Sequence, residues 1–165
     1  MAAAAAEERE GVEMYDLREE TLKALAAGPV ILRGLLRGVG DDEARRRPAP
    51  GEWAIIEVVA HLADSDERSQ ARVRRMLAEE DPHLPGYDEA ELARVERYIE
   101  RDLAAELDRF ERVRGEHVAL LRSLDDTGWR RTAVHGEQGP MTVELYEAHG
   151  AGEDANHFAQ IARLL

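Results

Sequence analysis

The stretch LARVERYIERDLAAELDRFERVRGEHVALLRSL, residues 92–124, decides the fold class of this chain. Its apolar residues recur in steps of three or four, the period of an α-helix with one buried face. The stripe consists of Leu92, Val95, Ile99, Leu103, Leu107, Phe110, Val113, His117, Leu120 and Leu124. Glu and Arg occupy most other positions at helical spacings, which is typical of a solvated face. We predict one continuous helix here, the longest of the chain.

A first helix is predicted to begin at Asp16, because Glu19 follows three residues later and completes the pattern of a capping box. The pair Gly28-Pro29 should disturb the middle of this helix, since proline has no N–H to donate. Residues 1–13 are polar and rich in alanine. We expect them to be a flexible N-terminal segment, and residues 14–165 to form a single domain.

Two further segments carry the helical period. One runs from Glu52 or Trp53 to about Ala78, and the other begins after Thr142, a good N-cap, and reaches the C-terminus. Residues 125–141, which connect the stretch 92–124 to the last of these helices, should form a loop or a short hairpin. No segment shows sustained alternation with a period of two. Four long amphipathic helices predict an all-α four-helix bundle.

Composition excludes several classes of function. The chain has 165 residues, a formal net charge of −13 and no cysteine. Acidic residues outnumber basic ones 35 to 22, which argues against binding to nucleic acid or to anionic membrane surfaces. The absence of cysteine excludes disulfides, thiolate metal sites and cysteine nucleophiles. No apolar run approaches the roughly 18 residues of a membrane span, and the start lacks the pattern of a signal peptide, so we expect a cytoplasmic protein.

The last helix repeats a potential metal ligand every four residues, at His149, Glu153 and His157. Neighbouring members of this series share one helix face. His149 and His157 are about 12 Å apart along the axis, too far to share one ion. The site therefore uses either His149 with Glu153 or Glu153 with His157, and His61 on the second helix is the natural third ligand.

The remaining polar residues have competing interpretations. Asp64, three residues after His61, would orient its ring as a hydrogen-bond acceptor, or would simply be a solvated acid. His117 falls on the apolar stripe and is interpreted as a core histidine, with a pocket role as the alternative. His83 and His135 are predicted in exposed loops.

Two glycines, Gly150 and Gly152, lie between His149 and His157 and weaken a helix interior. They indicate a close helix–helix approach, access for a substrate beside the metal, or a strained first half of the helix.

Taken together, the motifs resemble the DinB/YfiT-like superfamily, over nearly the whole chain from about residue 16. The resemblance rests on the order and spacing of several weak motifs. These are Glu52-Trp53, Glu57-Val-Val-Ala-His61-Leu-Ala-Asp64, Leu84-Pro-Gly-Tyr-Asp88, Phe110-Glu-Arg-Val-Arg114, Gly139-Pro-Met-Thr142-Val-Glu-Leu145 and His157-Phe-Ala-Gln160-Ile161. The resemblance implies a four-helix bundle that is commonly dimeric, so we expect a homodimer.

The resemblance also implies a ligand set. Family members hold a metal with one histidine of the second helix and two histidines four apart on the last helix, just before a Gln-Ile pair. His61 and His157 match two of these positions, and Glu153 stands where the family has its third histidine. The set His61, Glu153 and His157 suits a divalent transition metal, zinc or nickel first, with manganese or iron as alternatives.

Three functions are compatible with this pattern. The resemblance implies a metal-dependent transferase acting on a small-molecule substrate such as a low-molecular-weight thiol. His149 and Asp64 are the candidate catalytic residues for this activity. A second interpretation is a non-catalytic metal-binding or dimerisation bundle, in which Glu153 marks a degenerate site. A third is a metal-dependent hydrolase in which Glu153 acts as the base instead of a ligand.

Overall fold

The computed structural model describes residues 16–165, and within them four long helices form a bundle. In chain order the helices are α1 (Leu17–Leu35), α2 (Asp41–Ala44), α3 (Ile55–Ala78), α4 (Glu89–Val95), a 3₁₀ turn (Tyr98–Glu100), α5 (Leu103–Arg122), α6 (Asp126–Trp129) and α7 (Val143–Leu164). The predicted all-α four-helix bundle is confirmed. The segment 1–13 and the domain start at residue 14 lie outside the described residues. No helix within residues 16–165 combines the length and apolar character needed to cross a membrane.

The bundle has an unusual order of neighbours. Helix α1 packs against α5 and α7, and α3 packs against the same two helices, so α1 and α3 lie diagonally opposite each other. Helices α3 and α7 are antiparallel, because His61 of α3 meets His157 of α7 whereas Arg72, eleven residues later, meets Tyr146, eleven residues earlier. This arrangement lets two separate polar clusters form along one α3–α7 boundary.

Helix α1 continues through Pro29, which was expected to disturb it. Proline cannot donate to the carbonyl of Leu25, the residue four positions earlier. Arg114 of α5 supplies the missing donor, with its Nη1 3.1 Å from the Leu25 oxygen. A Cβ at Gly28 would lie 2.9 Å from the same nitrogen, so only glycine leaves room for the guanidinium. The buried arginine thus replaces the backbone hydrogen bond that Pro29 removes.

The prediction of one continuous third helix is wrong. Residues 92–124 are divided among α4, the 3₁₀ turn and α5, and α3 with 24 residues is the longest helix of the described chain. Arg97 adopts a left-handed conformation with φ 53°, and Asp102 caps a new helix by accepting from the Ala105 N–H at 2.8 Å. The break turns Tyr98 inward, where its hydroxyl donates to Asp64. Val95, assigned to the buried stripe, is 56% exposed.

A small sheet covers one end of the bundle. Strand β2 (Thr132–His135) pairs antiparallel with β3 (Gly139–Thr142), which confirms the hairpin alternative for this region, and β1 (His83–Leu84) pairs parallel with β2. His83 is exposed as expected. The prediction that His135 is exposed is wrong, because strand alternation turns its side chain inward and leaves it 8% exposed.

Candidate metal centre

A cavity of about 250 Å³ opens beside the α3–α7 boundary. Its walls come from α3, α5 and α7, from residues 86–89 before and at the start of α4, and from the end of β2 with the turn that follows it. The predicted residues His61, His149, Glu153 and His157 all line it. The structure therefore brings the proposed ligands from two distant segments of the chain to one space.

His61 and His157 meet at one end of this cavity. Their rings approach edge to face, with 4.7 Å between centroids and 63° between planes. His61 is 3% exposed because α3 is buried on most sides in its first half, and Trp53 packs against its ring at 5.1 Å. Two imidazoles this close place their nitrogens within reach of a shared ion.

Gln160 orients the ring of His157. The Gln160 Oε1 lies 3.0 Å from His157 Nδ1, so that nitrogen carries the proton and donates. His157 Nε2 is then the unprotonated nitrogen. Metal-binding histidines commonly donate their second ring N–H to such a partner, which fixes the tautomer and the ring orientation. The Gln160-Ile161 pair of the motif thus has a physical role beside the metal position.

His61 is held in its neutral form. Burial is the main cause that lowers the pKa of His61 to about 4. The nearby His157 also lowers this pKa, and its effect is larger than the opposite effect of Asp64. A neutral imidazole is the form that coordinates a metal. At neutral pH the His61 ring therefore needs no deprotonation before it can act as a ligand.

Glu89, the first residue of α4, is a site residue that sequence reasoning missed. Its Oε1 lies 3.9 Å from His61 Nε2. Burial raises the pKa of Glu89, and the charge of Glu153 adds to this effect while His157 opposes it. Asp88 accepts from the Glu91 N–H at 2.9 Å and so starts α4 at Glu89. The sequence analysis expected the third helix to begin near Leu92 and therefore overlooked Glu89.

Glu153 lies one turn before His157 and is exposed at the cavity wall. His149 is exposed as well, one further turn away. Helix α7 is unbroken between them, and a Cβ at Gly150 or Gly152 would meet nothing within 4 Å. Close helix approach and strain are thus excluded as reasons for these glycines, and Gly150, which lines the cavity, fits the access explanation.

Asp64 takes no part in this cavity. It is 8% exposed and accepts from the Tyr98 hydroxyl at 2.6 Å and from Arg109 Nη2 at 2.5 Å. Burial works against ionisation of this carboxyl, but these hydrogen bonds and the charge of Arg101 outweigh it and lower the pKa of Asp64. Neither expected arrangement, the acceptor for His61 or the solvated acid, is present, because the side chain faces the 3₁₀ turn and α5.

His117 is both buried and part of the cavity wall. It is 1% exposed, and its Nε2 lies 2.8 Å from Glu147 Oε2. Ser69 also donates to Glu147, at 3.2 Å. The core interpretation and the pocket interpretation of His117 therefore both hold.

The donor set suits a divalent transition metal. No three His, Asp or Glu side chains in residues 16–165 already surround one point closely enough to hold an ion. Two adjacent imidazoles, one of them oriented through Nδ1, nevertheless share the cavity with two carboxylates, those of Glu89 and Glu153. Nitrogen and oxygen donors of this kind fit zinc, nickel, manganese or iron. His61, His157 and Glu153 would hold the ion, with Glu89 beside them.

Comparisons with known proteins show the family of this chain. The family model of the DinB superfamily matches residues 24–161. A protein of Oceanobacillus iheyensis is 28% identical over 140 residues, covering 82% of this chain and 78% of its own length. YfiT of Bacillus subtilis is 27% identical over 152 residues, covering 89% and 83%. Both carry the name "Putative metal-dependent hydrolase".

The solved structure of YfiT from Bacillus subtilis superposes with a TM-score of 0.83 at 26% identity, covering 96% of this chain and 90% of that one. YfiT is described as "a probable metal-dependent hydrolase with an unusual four-helix bundle topology". The superposition shows that this chain shares the four-helix fold of YfiT. By its fold and by a family match over most of its length, the chain belongs to the DinB superfamily.

Proposed function

We propose that this chain is a metal-dependent hydrolase acting on a small molecule. The observation that carries the proposal is the meeting of His61 and His157, with Gln160 holding the second ring in the tautomer that leaves Nε2 unprotonated. The names of the relatives support the metal dependence and the reaction class. The cavity volume of about 250 Å³ suits a small substrate.

Each residue at this end of the cavity has a distinct role in the proposal. His61, His157 and Glu153 hold the ion. A divalent ion there supplies Lewis acidity, which polarises a carbonyl or phosphoryl oxygen and makes water a better nucleophile near neutral pH. Glu89 accepts and returns a proton, because its carboxyl lies 3.9 Å from His61 at the cavity wall. His149 stands farther along the wall, and its catalytic role stays a prediction.

The test begins with metal binding. Tag-free protein is stripped with a chelator and dialysed against zinc, nickel and manganese in turn, and bound metal is measured by elemental analysis. Wild type should retain about one equivalent and gain thermal stability, since a ligand that binds only the folded state stabilises it. His157→Ala should lose both effects. His83→Ala is the matched control, because His83 is exposed on β1 and does not line the cavity.

Hydrolysis is then assayed on esters, amides and phosphoesters with metal-loaded and stripped protein. We expect activity only in the loaded wild type, and Glu89→Gln should lower kcat while metal affinity is kept. A wild-type protein that retains no metal would overturn the proposal. If the metal-loaded protein shows no hydrolase activity and instead joins thiols to electrophiles, the proposal is replaced by the thiol transferase that the resemblance implies. The expected homodimer is tested alongside by light scattering.

A further inference from the structure

The cavity has a second polar end, which the proposed function does not use. It lies eleven residues along α3 from His61, about 16 Å at 1.5 Å per residue. Arg72 is its centre: Nη2 donates to the Pro85 carbonyl at 2.5 Å, and Nη1 lies 3.3 Å from His135 Nε2 and 3.4 Å from the Tyr146 hydroxyl. Within residues 16–165 no carboxylate forms an ion pair with Arg72, although the chain has 35 acidic residues.

The tautomer of His135 makes the Arg72 contact unusual. His135 Nδ1 faces the backbone N–H groups of Glu137 and Gln138, at 3.3 and 3.4 Å. Nδ1 is therefore the accepting nitrogen, and the proton sits on Nε2. The 3.3 Å approach of His135 Nε2 to Arg72 Nη1 then brings together two donors, neither of which satisfies the other.

A third donor joins them. The Tyr146 oxygen accepts the long contact from Arg72, which leaves its hydroxyl proton free. His135 and Tyr146 are each 8% exposed, and their rings lie 6.2 Å apart. All three side chains line the cavity, so an acceptor that enters it can reach their N–H and O–H groups. The geometry is that of a site for an anion that enters the cavity.

The charge at this end selects the kind of anion. Burial, followed by the charge of Arg72, lowers the pKa of His135, so Arg72 alone carries a full positive charge. Glu147 lines the same cavity but is occupied by His117 and Ser69, and Glu137 stands exposed beside it. One cation among carboxylates suits a singly charged, planar group, which a guanidinium binds well, more than a doubly charged phosphate.

We propose that Arg72, His135 and Tyr146 form a carboxylate-binding subsite at the end of the cavity opposite His61 and His157. The substrate would then carry a carboxylate at one end and its hydrolysable bond at the other. That the bound carboxylate belongs to the substrate rests on the proposed function, whereas carboxylate binding by these three residues does not.

Metal-free protein separates the two proposals. Chelator-treated protein at pH 8 is titrated with butyrate, with its neutral counterpart butyramide and with inorganic phosphate, and the ring signals of His135 are followed by NMR. Butyrate should bind, shift these signals and outcompete phosphate, while butyramide should not bind. Equal binding of butyrate and butyramide, or no binding of butyrate, would overturn the subsite. Tighter binding of phosphate would overturn its assignment to carboxylates.

Variants identify the residues responsible. Arg72→Gln should weaken butyrate binding at least about tenfold, since it removes a charged hydrogen-bond donor. Tyr146→Phe keeps the buried ring and should weaken it by a smaller factor, so it serves where Arg72→Gln does not fold. Arg74→Gln is the matched control, because Arg74 is exposed on the same helix and, within residues 16–165, its side chain hydrogen-bonds only to Gln70. Wild-type affinity in both Arg72→Gln and Tyr146→Phe would contradict the proposal.

Discussion

The rings of His61 and His157 meet at 4.7 Å between centroids, although they come from the second and the last of the long helices. Antiparallel packing of α3 and α7 produces this contact, and it also brings Arg72 to Tyr146 at the other end of the same cavity. One helix boundary thus positions both the candidate metal ligands and the donors for an anion. The predictions below test the ligand set and the buried contacts that hold this boundary in place.

Glu153 is expected to determine metal affinity. Glu153→Gln should weaken zinc or nickel binding at least about tenfold, because even residues that only support a metal ligand cost that much when lost. Glu153→His introduces the histidine that the resemblance implies at this position and should bind at least as tightly as wild type. Isothermal titration of stripped protein measures both. Glu80→Gln, at an exposed glutamate outside the cavity, should bind as wild type does. Unchanged affinity in Glu153→Gln would remove Glu153 from the ligand set.

Arg114 is expected to be essential for stability. It is 2% exposed and bonds to Asp66 at 2.7 Å, to Asp154 at 2.6 Å and to the Leu25 carbonyl. Arg114→Met leaves two buried carboxylates without their cation and should lower the free energy of unfolding by about 3–5 kcal/mol. Urea denaturation measures the change.

The matched control for Arg114 lies two residues earlier. Arg112→Met removes an exposed arginine whose one ion pair in the described part of the chain is with Glu116, so its effect should stay within about 1 kcal/mol. Equal effects of the two substitutions would show that the buried network does not stabilise the fold.

Gly28 is expected to tolerate no side chain. In Gly28→Ala the new Cβ would lie 3.4 Å from Phe158 and 2.9 Å from Arg114 Nη1, which the Leu25 carbonyl and Asp154 hold in place. We expect a loss of about 1–3 kcal/mol, typical of an overpacked core. Gly34→Ala lies on the same helix with nothing within 4 Å of its Cβ and should be stabilising by up to about 1 kcal/mol. Thermal unfolding of the pair measures the difference, and a stabilised Gly28→Ala would contradict the packing argument.

Asp64 is expected to affect stability in a pH-dependent way and to leave metal affinity unchanged. Its pKa is lower in the folded chain than the value of about 3.9 in an unfolded one. The unfolded state therefore binds the proton first, so the stabilisation is present above about pH 4 and is lost as the pH falls through the folded pKa. Asp64→Asn should be less stable than wild type at pH 7, and the gap should narrow below pH 4.

Urea denaturation across this pH range gives the comparison for Asp64. Asp42→Asn serves as the control, since Asp42 is exposed and its side chain makes no hydrogen bond in the described part of the chain. A gap for Asp64→Asn that does not change with pH would contradict the ionised hydrogen-bonding role. A loss of metal binding in the same variant would return Asp64 to the metal centre.

The sequence predicted the bundle because helical periodicity is local. Thr142 caps α7 and Asp16 caps α1 as expected, with side-chain oxygens that accept N–H groups only two or three residues away. The prediction of one continuous third helix was wrong for the same reason, because helical periodicity reports only local sequence. Its apolar period runs unbroken through Val95 and Ile99, but the helix is interrupted at Arg97. The interruption accompanies a hydrogen bond from Tyr98 to Asp64, which joins segments 34 residues apart.

By itself, then, the sequence determined the four-helix architecture, because helical periodicity is a property of single helices. It predicted the candidate ligands His61, Glu153 and His157 from ligand spacing on the last helix together with the resemblance to the family. Only the tertiary structure decided which polar groups meet. It added Glu89 beside His61, directed Asp64 away from the cavity, and brought His135 to Arg72. These contacts depend on how α3 packs against α7 and on where the sheet covers the bundle, and no local pattern encodes a distance between segments that are remote in the chain.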